Sequence, residues 1–404
     1  MDLRDREEHK IFRTEVRAFL NKNQHLAPKE TSFSYRLNPR PYDQDVLDWQ
    51  KLIVKHGYAG RTIPTGYGGY GADQDILKSR IIADEFFNAS LPQGLANQGI
   101  SMLIPTLLEH GTQEQKQAWI KPTIEGDIFW CQGYSEPGSG SDLASLQTKA
   151  VEDGDDFVIN GQKIWTSSAH IAQMIFCLVR TEPDAGKYQG ISYLVFSMDT
   201  PGIEIRPLET MTGHPSFNEV FFTDVRVPQS QVVGGRGNGW KVANSTLKHE
   251  RGMLSSANGS IGRLNKIRRL MESESERAPR PFDDPLVRDR FIRLQARVQS
   301  MRLHEMRLLS LAEKEASPGL GDLICKLVGC QLNYDLDAFA IDLMGEYGLN
   351  FDGDASEKRA SYWQKQSMYD LGLIIGGGTA QIQKNIIAER GLGMPREPKP
   401  RKAL

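Results

Sequence analysis

Apolar residues recur along this chain with two different periods. Up to about residue 128 the period is helical: Ile11, Val16, Phe19 and Leu20 fall at helical spacing within an otherwise charged stretch, the pattern of one buried helix face. Residues 23–42 interrupt it with three prolines and many polar side chains and predict a loop. Helical patterning resumes over 44–56, 75–88 and 99–109, and Thr112 ahead of Gln113-Glu114-Gln115-Lys116 offers a hydroxyl cap for one more helix. From about 129 to 236 the texture changes. Phe157-Val158-Ile159, Met174 to Val179, Ile191 to Phe196 and Val220-Phe221-Phe222 are short apolar runs separated by Gly, Asp and Pro. Asp153-Gly154 and Asn160-Gly161 read as hairpin turns. Long helical segments return from Asn238 to Arg390, broken at Pro279, Pro281 and Pro285 and again at Ser317-Pro318-Gly319. The order helix, sheet, helix predicts an α+β, mainly α, chain with domains at 1–128, 129–236 and 237–404.

Composition narrows the functional classes. The chain has 404 residues, 39% hydrophobic and 25% charged, with a net charge of −2. That balance suits a globular protein and gives no reason to expect nucleic acid or a membrane surface as partner. The basic run Arg263 to Arg269 places its charges around a helix and predicts a solvated face. No apolar run opens the sequence or is long enough to span a bilayer. Cys131, Cys177, Cys325 and Cys330 are scattered, with no C-x-x-C pair and no metal-ligand spacing, as expected of reduced thiols in a cytoplasmic protein.

Four segments carry candidate chemistry. Gly66-Tyr67-Gly68-Gly69-Tyr70-Gly71 satisfies G-x-G-x-x-G, but helical patterning precedes it instead of a strand, so a loop between helices is the better reading than a dinucleotide fingerprint. Residues 133–142, Gly-Tyr-Ser-Glu-Pro-Gly-Ser-Gly-Ser-Asp, form a turn dense in N–H and hydroxyl donors, able to fit the polar edges of a heterocycle or carbonyls of a substrate. Residues 160–168 read Asn-Gly-Gln-Lys-Ile-Trp-Thr-Ser-Ser. Residues 374–383 read Ile-Ile-Gly-Gly-Gly-Thr-Ala-Gln-Ile-Gln, a glycine run opening an amphipathic helix over 379–390 with spare N–H groups at its start.

Together these segments resemble the acyl-CoA dehydrogenase family, over about residues 45–396. The resemblance implies an N-terminal helical domain, a central β barrel and a C-terminal four-helix bundle, with FAD as cofactor and an acyl-CoA thioester as substrate. It implies flavin contacts from Tyr134, Ser135, Trp165, Ser167, Thr379 and Gln381, and an acyl-CoA contact from Ser141. Most of the family carries its catalytic Glu just before the Gly-Thr pair, where this chain has Gly377. A minority branch carries it on an earlier helix in a Glu-Arg pair, and Lys248-His249-Glu250-Arg251-Gly252 resembles that pair. Glu250 is then the expected base, with Arg251 beside it toward substrate, and the Gly377 N–H the expected donor to the thioester carbonyl. The vacated side chain leaves room for a branched, cyclic or long acyl group.

Two departures stand out. The family's diphosphate-binding Arg is off register at Arg280, before Pro281-Phe282-Asp283, and its Gln-x-x-Gly-Gly-x-Gly segment appears as Asp342-Leu343-Met344-Gly345-Glu346-Tyr347-Gly348. The resemblance further implies an electron-transfer flavoprotein as acceptor and a homodimer or homotetramer. The departures leave a hetero-oligomeric subunit open as an alternative, alongside an acyl-CoA-binding flavoprotein with other chemistry.

Overall fold

The structure, a computed structural model, describes residues 4–29, 32–254, 256–272, 281–314, 316–351, 360–396 and 398, with the side chains of 32–34, 250–254 and 322 outside that description. It divides into two compact units, Arg4–Met253 and the chain from Leu254 onward.

The first unit opens with six helices: α1 (Glu7–Asn23), α2 (Ser32–Leu37), α3 (Gln44–Lys55), α4 (Ile76–Asn88), α5 (Ile104–His110) and α6 (Gln113–Ile124). Val16, Phe19 and Leu20 of α1 are buried as their spacing predicts, but Ile11 is exposed and Phe12 takes the inward position. The expected loop over 23–42 contains α2, held there by packing: Tyr35 and Leu37 are buried, and Tyr35 donates to the Asp43 carboxylate at 2.9 Å. Thr112 caps α6 in a full capping box with Gln115. The segment 99–103 ahead of α5 is wound as a π-helical turn.

Eight strands follow: β1 (Trp130–Gly133), β2 (Lys149–Asp153), β3 (Asp156–Lys163), β4 (Met174–Arg180), β5 (Ile191–Ser197), β6 (Ile203–Leu208), β7 (Phe217–Pro228) and β8 (Val232–Val233). They form one sheet ordered β6-β7-β3-β2-β4-β5-β8, with β1 pairing β4 in parallel off that path. Asp153-Gly154 does turn the β2–β3 hairpin. Asn160-Gly161 does not turn the chain. It lies inside β3, where the register against β7 slips between Ile159 and Gly161. The extra residue there is on β7, between Phe222 and Val225. Gly161 opposite has φ +152°, and a Cβ would fall 2.7 Å from the Thr148 Cα, so the position needs glycine. One face of the sheet packs Phe157, Ile159, Ile175, Leu194 and Val225, all fully buried. The other packs Phe176, Leu178, Tyr193 and Val195 against Leu103, Leu107 and Ile120 of the helical layer. Helix α7 (Gly239–Leu254) adds Val242 and Ala243 to that second core.

The second unit is helical. Helices α8 (Ala257–Glu272), α9 (Pro285–Glu313), α10 (Gly321–Leu343) and α11 (Ala360–Ile375) pack around Leu264, Ile267, Val298, Met301, Leu332, Leu336, Phe339 and Trp363. Pro281 and Ser317-Pro318-Gly319 fall between helices, Pro279 lies outside the described residues, and Asp284 caps α9 ahead of Pro285 at its first turn. The run 263–269 is not wholly a solvated face. Arg268 and Arg269 are exposed, but Arg263 turns inward to two buried carboxylates, Asp337 and Asp370. The last helix is shorter than its pattern suggests: α12 covers Ala380–Ile386, and 387–391 continue as a π-helical turn.

Candidate functional site

The hydroxyl-rich loop begins where β1 ends. Glu136 and Ser139 exchange backbone hydrogen bonds at 3.1 and 3.0 Å, closing a tight turn, and the Ser139 and Ser145 hydroxyls meet at 2.8 Å. What fixes this turn to the sheet is a buried ion pair. Lys163 at the end of β3 reaches Glu136 at 2.8 Å and the Tyr134 carbonyl at 3.1 Å. The same carboxylate accepts from the Gln147 and Thr148 N–H groups at 2.6 and 2.9 Å. Burial alone would raise the Glu136 pKa, but the Lys163 charge and these donors outweigh it and hold the carboxyl below its ordinary value. The anchored loop leaves Ser135 half-buried and Ser141 exposed. The Tyr134 ring turns away, edge-on to Phe176 and Tyr193 in the core.

The second segment lies on the same wall. The Ile164 N–H donates to the Ser135 carbonyl at 2.9 Å, so Trp165 follows directly from the anchored loop. Thr166 and Asn218 exchange backbone hydrogen bonds at 3.0 Å in both directions, and the Asn218 side chain adds another to the Thr166 carbonyl. Between these fixed points Trp165 takes φ +60°, a left-handed conformation that a bulky residue rarely adopts. Its indole is 60% exposed, with Phe217 edge-on at 6.1 Å. Ser167 beside it is half-buried. A large apolar ring held out of the core in strained backbone is a surface for stacking.

Helix α7 carries Glu250 and Arg251, whose side chains lie outside the described part. Its placement is set by α5. The Thr106 and Thr246 hydroxyls meet at 2.9 Å in the core, and Glu109 receives Ser245 and, at 3.1 Å, the His249 ring. His249 is thus a brace beside Glu250.

In the second unit, the glycine run forms a turn between α11 and α12. Gly377 and Gly378 have φ of +62° and +91°, a conformation glycine adopts without strain. The Thr379 hydroxyl accepts from the Ile382 N–H and caps α12, Gln381 is exposed, and the buried Gln383 side chain donates to the Gly377 carbonyl at 3.1 Å. Tyr134, Ser135, Ser141, Trp165, Ser167 and α7 therefore belong to the first unit, and Gly377, Thr379 and Gln381 to the second. Arg280 lies outside the described residues.

Other candidates fall away. All four cysteines are buried and none is in a disulfide. Burial pushes Cys131 well up, Cys177 to about 12 and Cys330 to about 11, so none of these three is poised as a nucleophile. The run 66–71 is a loop with a short turn over Thr65–Tyr67, and among the described residues no strand precedes it. Among the described residues no cluster of His, Cys, Asp and Glu could hold a metal, and no helix is long and apolar enough to cross a membrane.

Sequence reading missed Glu136 and Lys163 as a pair, although both lie in motifs it singled out. The signal was parity: Lys163 shares the inward face of β3 with Phe157 and Ile159. A lysine there has to be neutralised by a buried acid.

A helical layer, a sheet bearing an exposed indole beside a hydroxyl-rich loop, and a helical bundle with a glycine turn define a helix–sheet–helix architecture. Family profiles match the chain throughout: "Acyl-CoA dehydrogenase, N-terminal domain" at residues 6–127, "middle domain" at 131–225 and "C-terminal domain" at 237–392. The chain belongs to the acyl-CoA dehydrogenase family, oxidoreductases acting on the CH–CH bond of acyl-CoA thioesters. It is 38% identical to acyl-CoA dehydrogenase IpdE1 of Mycobacterium tuberculosis over 354 residues, 87% of this chain and 88% of that one. Among solved structures it is similar to the Tcur3481-Tcur3483 steroid ACAD, at 31% identity and a TM-score of 0.82 over 98% of this chain and 100% of that chain. The ChsE4-ChsE5 complex from M. tuberculosis matches at 29% identity and a TM-score of 0.78 over 98% of this chain and 100% of that chain.

Proposed function

We propose that this chain is a cytoplasmic FAD-dependent dehydrogenase that desaturates the α,β bond of a bulky, cyclic acyl-CoA, using Glu250 as its base. The carrying observation is Trp165: an exposed indole, held in left-handed backbone between the Ile164 hydrogen bond to Ser135 and the reciprocal pair of Thr166 and Asn218. The residues present fit a flavin, with the indole for its face and Ser135 and Ser167 for its polar edge. When bound, FAD supplies the acceptor for the β-hydride.

The chain's own residues supply the rest. Removal of an α-proton from a thioester builds negative charge on the carbonyl oxygen, and a fixed N–H aimed there lowers the barrier most. Gly377 serves as that donor, because a backbone N–H survives the loss of a side chain. Glu250 takes the proton, and needs a water-poor setting to raise its basicity. Ser141 and Arg251 hold the thioester arm. The bulky substrate is supported by the absent side chain at 377 and by the word steroid in the name of a similar structure.

The test is anaerobic: the purified chain is mixed with straight, branched and cyclic acyl-CoAs while the visible flavin spectrum is followed. Bleaching by cyclic substrates supports the reading, and bleaching only by straight chains overturns the substrate class. Glu250→Gln is expected to keep the flavin spectrum and lose about 10²–10⁴-fold in turnover. Full activity in that variant would sink the base assignment. Electrons then pass to an electron-transfer flavoprotein, which reoxidation assays would show.

A second reading has its own support. Two similar structures are of paired chains, and the 342–348 segment and Arg280 depart from the family's nucleotide contacts. If this chain is one subunit of a hetero-oligomer, it will be colourless when purified alone and turn yellow with its partner. A homodimer or homotetramer holding FAD on its own overturns that.

A further inference from the structure

The glycine turn is held from beneath by a residue that no motif includes. Lys326, on α10, is 1% exposed. Its Nζ donates to the carbonyls of Ile374 at 3.0 Å and Gly378 at 2.6 Å. These two acceptors bracket the Gly376-Gly377 pair, one on the last turn of α11 and one just before the α12 cap. Gln383 closes the opposite side through the Gly377 and Gly378 carbonyls at 3.1 and 3.4 Å. The peptide planes at 374–375, 377–378 and 378–379 are thereby oriented by side chains, and the Gly376 N–H donates to the Gly372 carbonyl at 2.7 Å, so the 376–377 plane that carries the Gly377 N–H is held between fixed neighbours on both sides.

The need for such a clamp is physical. Gly376-Gly377-Gly378 has more accessible backbone conformations than any other tripeptide type, and two of its three residues are at positive φ. Left alone, the turn would sample many orientations of the Gly377 N–H. A buried ammonium is an expensive way to fill space: desolvation opposes its charge, so a methionine would pack there at lower cost. Its two bonds to main-chain carbonyls are what an apolar residue could not provide.

We propose that Lys326 is a positioning residue for the reaction: it aims the Gly377 N–H at the thioester carbonyl oxygen by clamping both ends of the glycine turn. This rests on the reading of Gly377 as the carbonyl donor. Lys326 touches neither substrate nor flavin in this role. It acts through the backbone, and its loss should raise the barrier of the proton-abstraction step while leaving binding of the acyl-CoA nearly unchanged. Misdirection of one such donor is worth about 10²-fold in rate.

The experiment compares wild type, Lys326→Met and Lys326→Arg as flavin-loaded protein with the acyl-CoA that wild type turns over. Flavin content is measured from the visible spectrum and backbone protection over residues 374–382 by hydrogen exchange. Expected for Lys326→Met are full flavin content, faster exchange in the turn, kcat lower by about 10²-fold and KM within threefold. Lys326→Arg, which keeps a buried donor, recovers most of both kcat and protection. Faster exchange with unchanged kcat would make the clamp structural only and overturn the proposal, as would a Lys326→Met defect confined to KM. If Lys326→Met fails to fold, Lys326→Arg decides: wild-type protection with kcat still down by 10²-fold overturns it, and both retained supports it. A wild-type protein that no acyl-CoA reduces overturns the underlying reading of function, and is told apart because it fails before any variant is made.

Discussion

Each unit buries charge, and the two do it in opposite ways. In the sheet unit one acid meets one base: Glu136 and Lys163, with side chains 6% and 0% exposed, form a matched pair completed by two backbone N–H groups. In the helical unit two acids meet one base: Asp337 and Asp370, both fully buried, share Arg263, with Gln366 accepting a further guanidinium bond at 3.2 Å. The matched cluster holds its carboxyl below the ordinary value. In the other, burial and the neighbouring Asp370 charge raise Asp337 well above it, against the pull of Arg263. Charge balance, and not burial alone, decides which way a carboxyl moves. The matched pair also sits under the hydroxyl-rich loop, which it anchors to the sheet.

Breaking the matched pair should do the most damage. Lys163→Met leaves a buried carboxylate with no cation beside it and is expected to cost about 3–5 kcal/mol of unfolding free energy in urea, with loss of bound flavin. Adding Glu136→Gln should restore much of that stability, and a double variant no better than the single would refute the pairing. Arg263→Met is expected to cost less, because the raised Asp337 carboxyl holds its proton to a higher pH than an ordinary one. Its cost should shrink as pH falls, as urea midpoints measured across pH would show.

The titration itself sharpens the contrast. Asp337 has a raised folded pKa, so its contribution to stability is complete below the ordinary value of 3.8 and is lost as pH rises through the raised one. Glu136 runs the other way: its contribution is present above the ordinary 4.5 and is lost as pH falls through the lowered value. As pH rises from the ordinary 3.8 toward the raised value, urea midpoints should therefore carry a decline in wild type that is smaller in Asp337→Asn. A decline of the same size in that variant would assign it elsewhere. The smallest expected effect is at the indole. Trp165→Asn should change the stability of the flavin-free chain by no more than about 0.5 kcal/mol, because asparagine tolerates left-handed backbone. Flavin retention should nevertheless fall, as dialysis followed by absorbance would show.

Much of this was legible in the residues. Alternating apolar runs gave the strands, Thr112 gave a helix start, and the motif segments gave the family. What escaped depends on contacts between distant segments. Nothing local distinguishes Asn160-Gly161 from a hairpin turn; its pairing with β7, 64 positions on at Asp224, keeps it inside the strand. Nothing in 263–269 says which arginine turns inward, since that is decided by Asp337 and Asp370, 74 and 107 positions away. Lys326 escaped for the same reason: its partners are carbonyls, which carry no sequence signature.

Trp165 has one more consequence, for how this chain tolerates substitution. Its backbone is strained and its ring is mostly in solvent, so the folded chain by itself gains little from a tryptophan there. Substitutions at this position are therefore weakly opposed by the fold, and would be felt first in whatever stacks on the ring.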